Sequence, residues 1–194
     1  MSIKKLNKSA ILAAVLVAAA SGTQAATLDF TEVGASGIVP ATVINLSNAT
    51  LTSFGDDMFI GAPGAFGETN ALGIVCASPA GNNGCEEDLQ ISFVSSVMNL
   101  MFESFGASQG DNVTVSAFSG ATLLGSLVVT TDTSIDFSAF GAIDRLTFID
   151  NSTAAGIGWG DFSFNTNAVP EPGSFALLGL ALGGLGFMGR RKRS

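Results

Sequence analysis

Residues 113–126, "VTVSAFSGATLLGS", decide the fold of this chain. Val113, Val115 and Ala117 alternate with Thr, Ser and Phe, and a period of two places such residues on one face of a β-strand. Gly120 then lies between this run and a second one, where turn-forming residues are expected. The stretch therefore predicts a β-hairpin of two antiparallel strands.

Short runs of the same kind recur through the middle of the chain and are separated by Gly, Asn, Asp and Ser. They are "ATLDF" (26–30), "TVINLSNATLTSF" (42–54), "LQISF" (89–93), "LLGSLVV" (123–129), "AIDRLTFID" (142–150) and "GWGDFSFN" (158–165). No apolar pattern with a helical period is long enough for a helix of several turns. About eight to ten strands with frequent turns predict an all-β fold, an antiparallel β-sandwich of the jelly-roll type.

The last of these runs predicts which side chains share a face. Strict alternation places Gly160, Phe162 and Phe164 on one side of the strand and Trp159, Asp161 and Ser163 on the other. Trp159 is the chain's single Trp and no Tyr is present, so Trp159 is the candidate glycan contact if it lies on the outer face. A position in the core or at a sheet edge is the favoured alternative.

Charges are sorted along the 194 residues. Of the 16 acidic residues only Glu171 lies outside residues 26–168, and Arg145 is the only base within that stretch, so it carries 15 acids and one base. Such an anionic surface repels phosphate backbones, and we therefore expect no nucleic-acid partner.

The first 25 residues have the features of a signal peptide. Lys4, Lys5 and Lys8 precede an apolar run that extends from Ala10 to Ala20, and Thr23 and Ala25 suit a signal-peptidase site. We expect cleavage after Ala25, with Ala26 as the alternative, by signal peptidase at the export machinery. The apolar run is short for an uncleaved anchor. Residues 26–165 are then an exported domain.

The C-terminal end predicts a membrane span. Residues 173–189 are apolar and would form a helix of about 25 Å, slightly short of a hydrocarbon core of ~30 Å. Residues 190–194 form a basic tail that is expected to stay in the cytoplasm; its cations are Arg190, Arg191, Lys192 and Arg193. Residues 166–172 form a linker that ends in the stiff sequence Val169-Pro170-Glu171-Pro172. A turn before the helix would also explain the two prolines.

The order "VPEP", short apolar helix and basic end resembles the PEP-CTERM sorting signal of Gram-negative bacteria that produce exopolysaccharide. The resemblance implies that a membrane-embedded protease-transpeptidase, the exosortase, recognises Val169, Pro170, Glu171 and Pro172 and removes residues 173–194. The same tail is sometimes labelled an ice-binding C-terminal domain, but the body has no regular Thr ladder that would match an ice lattice. More loosely, the order of motifs in the body resembles the carbohydrate-binding-like sandwiches that often precede this tail.

Cys76 and Cys85 enclose a loop of turn-forming residues, "CASPAGNNGC" (76–85). Two cysteines in an exported chain usually pair, so we expect a disulfide rather than two free thiols. A thiol nucleophile is not favoured because it needs a base, and the chain contains no His.

Little catalytic chemistry is available to the body. Without His, Tyr or a body Lys, only carboxylates remain as acids and bases. The densest groups are Asp56-Asp57 and Glu86-Glu87-Asp88, but neighbours on a strand point to opposite faces and so do not form the facing pair that a glycosidase needs. Solvated turn residues are the expected role. A calcium ion fits some of these oxygens, although the sequence identifies no ligands.

These observations predict a non-enzymatic, exported protein of the cell surface or extracellular matrix that is held in the inner membrane before processing. Its expected partners are exosortase, the membrane and, through the sandwich, an extracellular polysaccharide. One alternative is a permanently anchored single-pass membrane protein with the same external sandwich. Another, from a different functional class, is a hydrolase of polysaccharide that works with carboxylates alone.

Overall fold

The computed structural model describes residues 23–69, 71–81, 84–152 and 156–167. The predicted signal peptide up to residue 22, the membrane helix 173–189 and the basic tail 190–194 lie outside the described residues. Within the described residues, no helix is long and apolar enough to cross a bilayer.

The described residues form twelve β-strands and three short 3-10 helices. The strands are β1 (Thr23–Thr27), β2 (Gly37–Val39), β3 (Val43–Asn45), β4 (Ala49–Ser53), β5 (Asp57–Gly61), β6 (Ile74–Ser78), β7 (Leu89–Phe105), β8 (Val113–Ser119), β9 (Thr122–Val129), β10 (Ser134–Asp136), β11 (Ile143–Asp150) and β12 (Gly158–Asn167). The 3-10 helices are Phe30–Val33, Ala65–Gly67 and Ser138–Phe140. The predicted β8–β9 hairpin is confirmed, and its strands pair from Val113↔Val129 to Ser119↔Thr122.

The long strand β7 takes part in both layers. Its first part pairs with β4 and β11, which places β3, β4, β7, β11, β8 and β9 side by side. Its second part pairs with β12 and β10, and β12 continues the other layer to β6, β5 and β2, with β1 also on β12. All these pairings are antiparallel, which confirms the predicted antiparallel β-sandwich.

A bend in β7 connects the two layers. Arg145 of β11 is opposite Ser92, whereas Ile143 is opposite Val97, so four β7 residues face a single residue of β11. Val94, within this segment, is 70% exposed. Extra residues on one strand bend it and increase its twist, and such bends allow a strand to pass from one sheet to another.

An aromatic cluster fills the space between the layers. Phe102, on the second part of β7, is 1% exposed and lies at the centre of this cluster. Its ring contacts Phe137, Phe148, Trp159 and Phe162, at centroid distances of 4.9 to 6.2 Å. Burial of large rings supplies much of the stabilisation of such a core.

The expected alternation in β12 is wrong. Trp159, Phe162 and Phe164 are all buried, although strict alternation placed Trp159 opposite the two phenylalanines. The pairing with β7 shifts between Gly160 and Ser163, and Asp161 has a φ of 51°. This β-bulge adds a residue to β12 and changes its phase.

Some boundaries also differ from the expectations. Phe30 begins a 3-10 helix instead of completing a strand, because Asp29 caps that helix through the backbone N–H of Thr31. Strand β12 extends to Asn167, so the first two residues of the predicted linker 166–172 belong to the strand. At the other end, β1 begins at Thr23 and spans the predicted cleavage site after Ala25.

Candidate functional site

The residues of the predicted sorting signal follow β12 directly. Strand β12 ends at Asn167, and Val169, Pro170, Glu171 and Pro172 begin two residues further on. This motif and the basic residues 190–193 lie outside the described residues, so their assigned roles stay predictions at this point.

The predicted disulfide between Cys76 and Cys85 is confirmed, with a Cα–Cα distance of 5.3 Å. Cys76 lies in the buried strand β6, and Cys85 makes a parallel bridge with Gly156 just before β12. A Cβ atom at Gly156 would overlap the carbonyl of Cys85. The disulfide therefore fixes a loop against two parts of the sandwich.

Trp159 does not lie at the surface. It is 2% exposed, and its ring packs 4.6 Å from that of Phe148 and 6.2 Å from that of Phe102. A sugar ring cannot reach this side chain, so the possible glycan contact at Trp159 is wrong and the favoured core position is correct. The physical reason is the bulge at Asp161, which turns Trp159 toward the same interior as Phe162.

The acidic side chains of the body hold its loops. At least eleven of the fifteen carboxylates accept a hydrogen bond from a backbone N–H, and many of these donors lie in turns. They are Asp29, Glu32, Asp57, Glu68, Asp88, Asp111, Asp132, Asp136, Asp144, Asp150 and Asp161. A charged acceptor strengthens such a hydrogen bond, so most of the negative charge has a structural role.

The residues of the two dense acid groups, Asp56-Asp57 and Glu86-Glu87-Asp88, also differ in their surroundings. Asp57 is buried and accepts from the Gly81 N–H, whereas Asp56 is exposed. Asp88 accepts from the backbone N–H of Asp150 at 2.8 Å. Within the described residues, no group of three or more Cys, Asp or Glu side chains is placed to hold a metal ion, so the calcium expectation has no assigned ligands.

Asp136 shows the effect of such contacts on titration. The Ser138 side chain and then its backbone N–H, at 2.8 Å from Oδ1, lower the pKa of Asp136 below its ordinary value. Because the folded pKa is the lower one, this contact stabilises the fold at pH values above the unfolded pKa. The contribution is lost as the pH falls through the folded pKa.

The outer surface of one layer carries many exposed polar side chains, and we name it the hydroxyl face. It lies on β3, β4, β7, β11, β8 and β9, and consists of side chains that alternate with the core residues of these strands. One row across the strands is Asn45, Thr50, Ser92, Arg145, Phe118 and Leu123; the next is Val43, Thr52, Gln90, Thr147, Ser116 and Ser126. All are partly or fully exposed.

The polar groups of the hydroxyl face are organised by their neighbours. Thr50 Oγ1 donates to Asn45 Oδ1 at 3.0 Å, and Gln90 Nε2 donates to Ser92 Oγ at 3.0 Å. The Arg145 guanidinium lies 4.3 Å from the centroid of the Phe118 ring, a cation–π arrangement. The face thus combines hydroxyls and amides with one cation on an aromatic ring.

The sequence contained a signal for the hydroxyl face in the residues that alternate with the core positions of each strand. Prediction of the strands alone did not use this signal. The residues between the core positions are Thr114, Ser116 and Phe118 on β8, and Arg145 and Thr147 on β11. Once the strands are aligned, these positions, most of them polar, fall beside one another. The alignment itself depends on the registers, which the sequence did not specify.

The comparisons with known proteins concern the tail and the body separately. Residues 168–193 match the family model of the PEP-CTERM protein-sorting motif. The chain therefore carries a PEP-CTERM signal, as the sequence predicted, and this signal implies an exported protein that exosortase sorts. Among curated proteins, no sequence matches the chain.

Among solved structures, the chain is similar to carbohydrate-binding modules of family 29. One of them, from Piromyces equi, shows 8% identity over 77% of this chain and 95% of the module, with a TM-score of 0.36. A mutant of a family 29 module shows 15% identity over 78% of this chain and 100% of the module, with a TM-score of 0.33.

Removal of the disulfide should destabilise the exported protein. We expect Cys76→Ala/Cys85→Ala to lower the free energy of unfolding by roughly 2–3 kcal/mol, because the reduced chain gains conformational freedom in the unfolded state. Denaturant unfolding followed by tryptophan fluorescence measures the change. The wild-type protein with its disulfide reduced is the control and should match the double variant. An unchanged midpoint in both samples would contradict the role assigned to the disulfide.

Loss of a loop-holding carboxylate should also be measurable. Glu68 is 5% exposed and accepts from the backbone N–H groups of Gly64 and Leu72 at 2.8 and 2.9 Å. Glu68→Ala leaves both donors without this acceptor and should cost about 1–3 kcal/mol of unfolding free energy. The control, Asp56→Ala, changes an exposed acid and should stay within about 0.5 kcal/mol of wild type. Equal effects of the two substitutions would refute the assignment.

Proposed function

We propose that this protein is a non-enzymatic component of the cell surface or extracellular matrix, and that its sandwich binds extracellular polysaccharide through the hydroxyl face. Signal peptidase removes residues 1–25 during export, residues 173–189 hold the chain in the inner membrane, and residues 190–194 stay in the cytoplasm until exosortase removes the tail. The match of residues 168–193 to the sorting motif supports this route.

The non-catalytic role is supported by the use of the acidic groups. The chain contains no His or Tyr and the body no Lys, so catalysis would have to rely on carboxylates. Most of these accept backbone N–H groups within loops, and the candidate pair Asp56 and Asp57 divides into one exposed and one buried residue. A polysaccharide hydrolase needs two free carboxyl groups on either side of the scissile bond.

The geometry of the hydroxyl face carries the binding proposal. Its rows cross six neighbouring strands at a spacing of about 4.8 Å, so polar groups repeat at regular intervals along a line. A polysaccharide chain also presents hydroxyls at regular intervals, and hydroxyls both donate and accept hydrogen bonds. The exposed parts of Phe118 and Leu123 offer apolar surface to the less polar faces of sugar rings.

The alternative to export and processing is permanent anchoring in the membrane, which one feature of the sequence favours. The apolar run 173–189 with its basic flank would hold the same sandwich permanently in the membrane if exosortase left the tail in place. In that case the body would bind polysaccharide at the inner membrane. The two routes predict different C-termini for the exported protein and the same binding face.

Polysaccharide binding should depend on the centre of the hydroxyl face. Gln90→Ala/Thr147→Val changes two neighbours on β7 and β11 and should weaken binding about thirtyfold, because each of the two lost hydrogen bonds is worth roughly 1 kcal/mol. Affinity electrophoresis of the exported protein in gels that contain exopolysaccharide from the producing cells, or neutral or acidic glycans, gives the affinity.

Ser134→Ala, on the exposed part of β10, is the matched control and should bind as wild type does. Equal binding by the double variant, or no binding of wild type to any glycan, would contradict the proposal. Release of reducing ends from the same glycans would instead support the hydrolase.

A further inference from the structure

The edges of the two layers are protected to different degrees. Among the described residues, the edge strands β2, β3 and β10 each contain three residues and the edge strand β1 contains five, and β10 ends with Asp136. Pro40 follows directly after β2. Short strands, prolines and charges are the usual means by which proteins prevent edge-to-edge association.

Strand β9 lacks these protections over most of its length. It has eight residues and contains neither a charge nor a proline, and within the described residues it pairs only with β8. Leu123 and Val128 are 54% and 60% exposed. A register shift opposite Ala117 and Phe118 distorts its beginning, but Gly125–Val129 is regular and remains available for pairing.

The distribution of charge on the body favours a second copy of this chain as the partner of β9. With 15 acids and one base, two copies of this chain repel each other over most of their surfaces. Residues 112–131 contain no charged residue, so the β8–β9 hairpin is a region where two copies can approach without bringing carboxylates together. An identical edge on each copy also satisfies the self-complementarity of a two-fold interface.

We propose that β9 pairs antiparallel with β9 of a second copy around a two-fold axis perpendicular to the sheet. Centred on Leu127, this pairing sets Ser126 opposite Val128 of the second copy. It joins the layer that contains β9 in one copy to the same layer of the other copy, in one continuous sheet. The axis keeps the hydroxyl faces of both copies on the same side. The dimer does not require that these faces bind a polysaccharide, but two adjacent faces would increase avidity for a long chain.

Sedimentation velocity of the exported protein over a range of concentrations tests the dimer. Wild type should sediment as a dimer, and Ser126→Lys/Val128→Lys should sediment as a monomer, because the pairing brings lysines of the two copies opposite each other. Val94→Lys, at a residue outside β9 that is 70% exposed, is the control and should remain a dimer. Thermal unfolding of the lysine variants as isolated samples checks that each is folded.

A second variant keeps the test decisive if the lysine pair impairs folding. Ser126→Cys/Val128→Cys should form disulfide-linked dimers on mild oxidation, whereas Val94→Cys should not. A wild type that is monomeric at every concentration, a dimer that survives the lysine pair, or open-ended polymers would each overturn the proposal. Glycan binding by a monomeric wild type would leave the proposed function standing and reject only the dimer.

Discussion

The structure depends on strand β7 belonging to both layers of the sandwich. Four residues of β7 face a single residue of β11, and this bend allows one strand to pair with β4 and β11 at its beginning and with β12 and β10 at its end. Phe102, from the second part, packs on Phe148 of β11 and Phe162 of β12. A single strand, β7, therefore contributes to both layers and to the core between them.

Charge divides the molecule into regions with different roles. Seven of the eight basic residues lie near the two ends, and in the proposed route they direct the chain to and through the membrane. The acidic residues lie in the body, where most of them accept backbone N–H groups and hold loops without the help of lysines. This arrangement leaves the hydroxyl face nearly free of acids, and Arg145 is its single cation.

Sequence reasoning succeeded where the pattern was local. The β8–β9 hairpin, the disulfide and the sorting motif each depend on residues close together in the chain. Strands β5 and β6 were not predicted because most of their residues are buried on both faces, which removes alternation. A core position was the favoured interpretation of Trp159, but the face that it shares with Phe162 was missed, because the bulge at Asp161 depends on pairing with β7. The hydroxyl face was missed because its rows depend on five registers, and those of β4 with β7, β7 with β11 and β11 with β8 join distant parts of the chain.

We propose that a sorting signal directs the sandwich to the outside of the cell and is afterwards removed. Intact mass spectrometry of the protein recovered from the outside of producing cells, and from the same cells without exosortase, tests this most directly. We expect a chain that lacks residues 173–194 when exosortase is present and one that retains them when it is absent. A full-length C-terminus in both strains would contradict it.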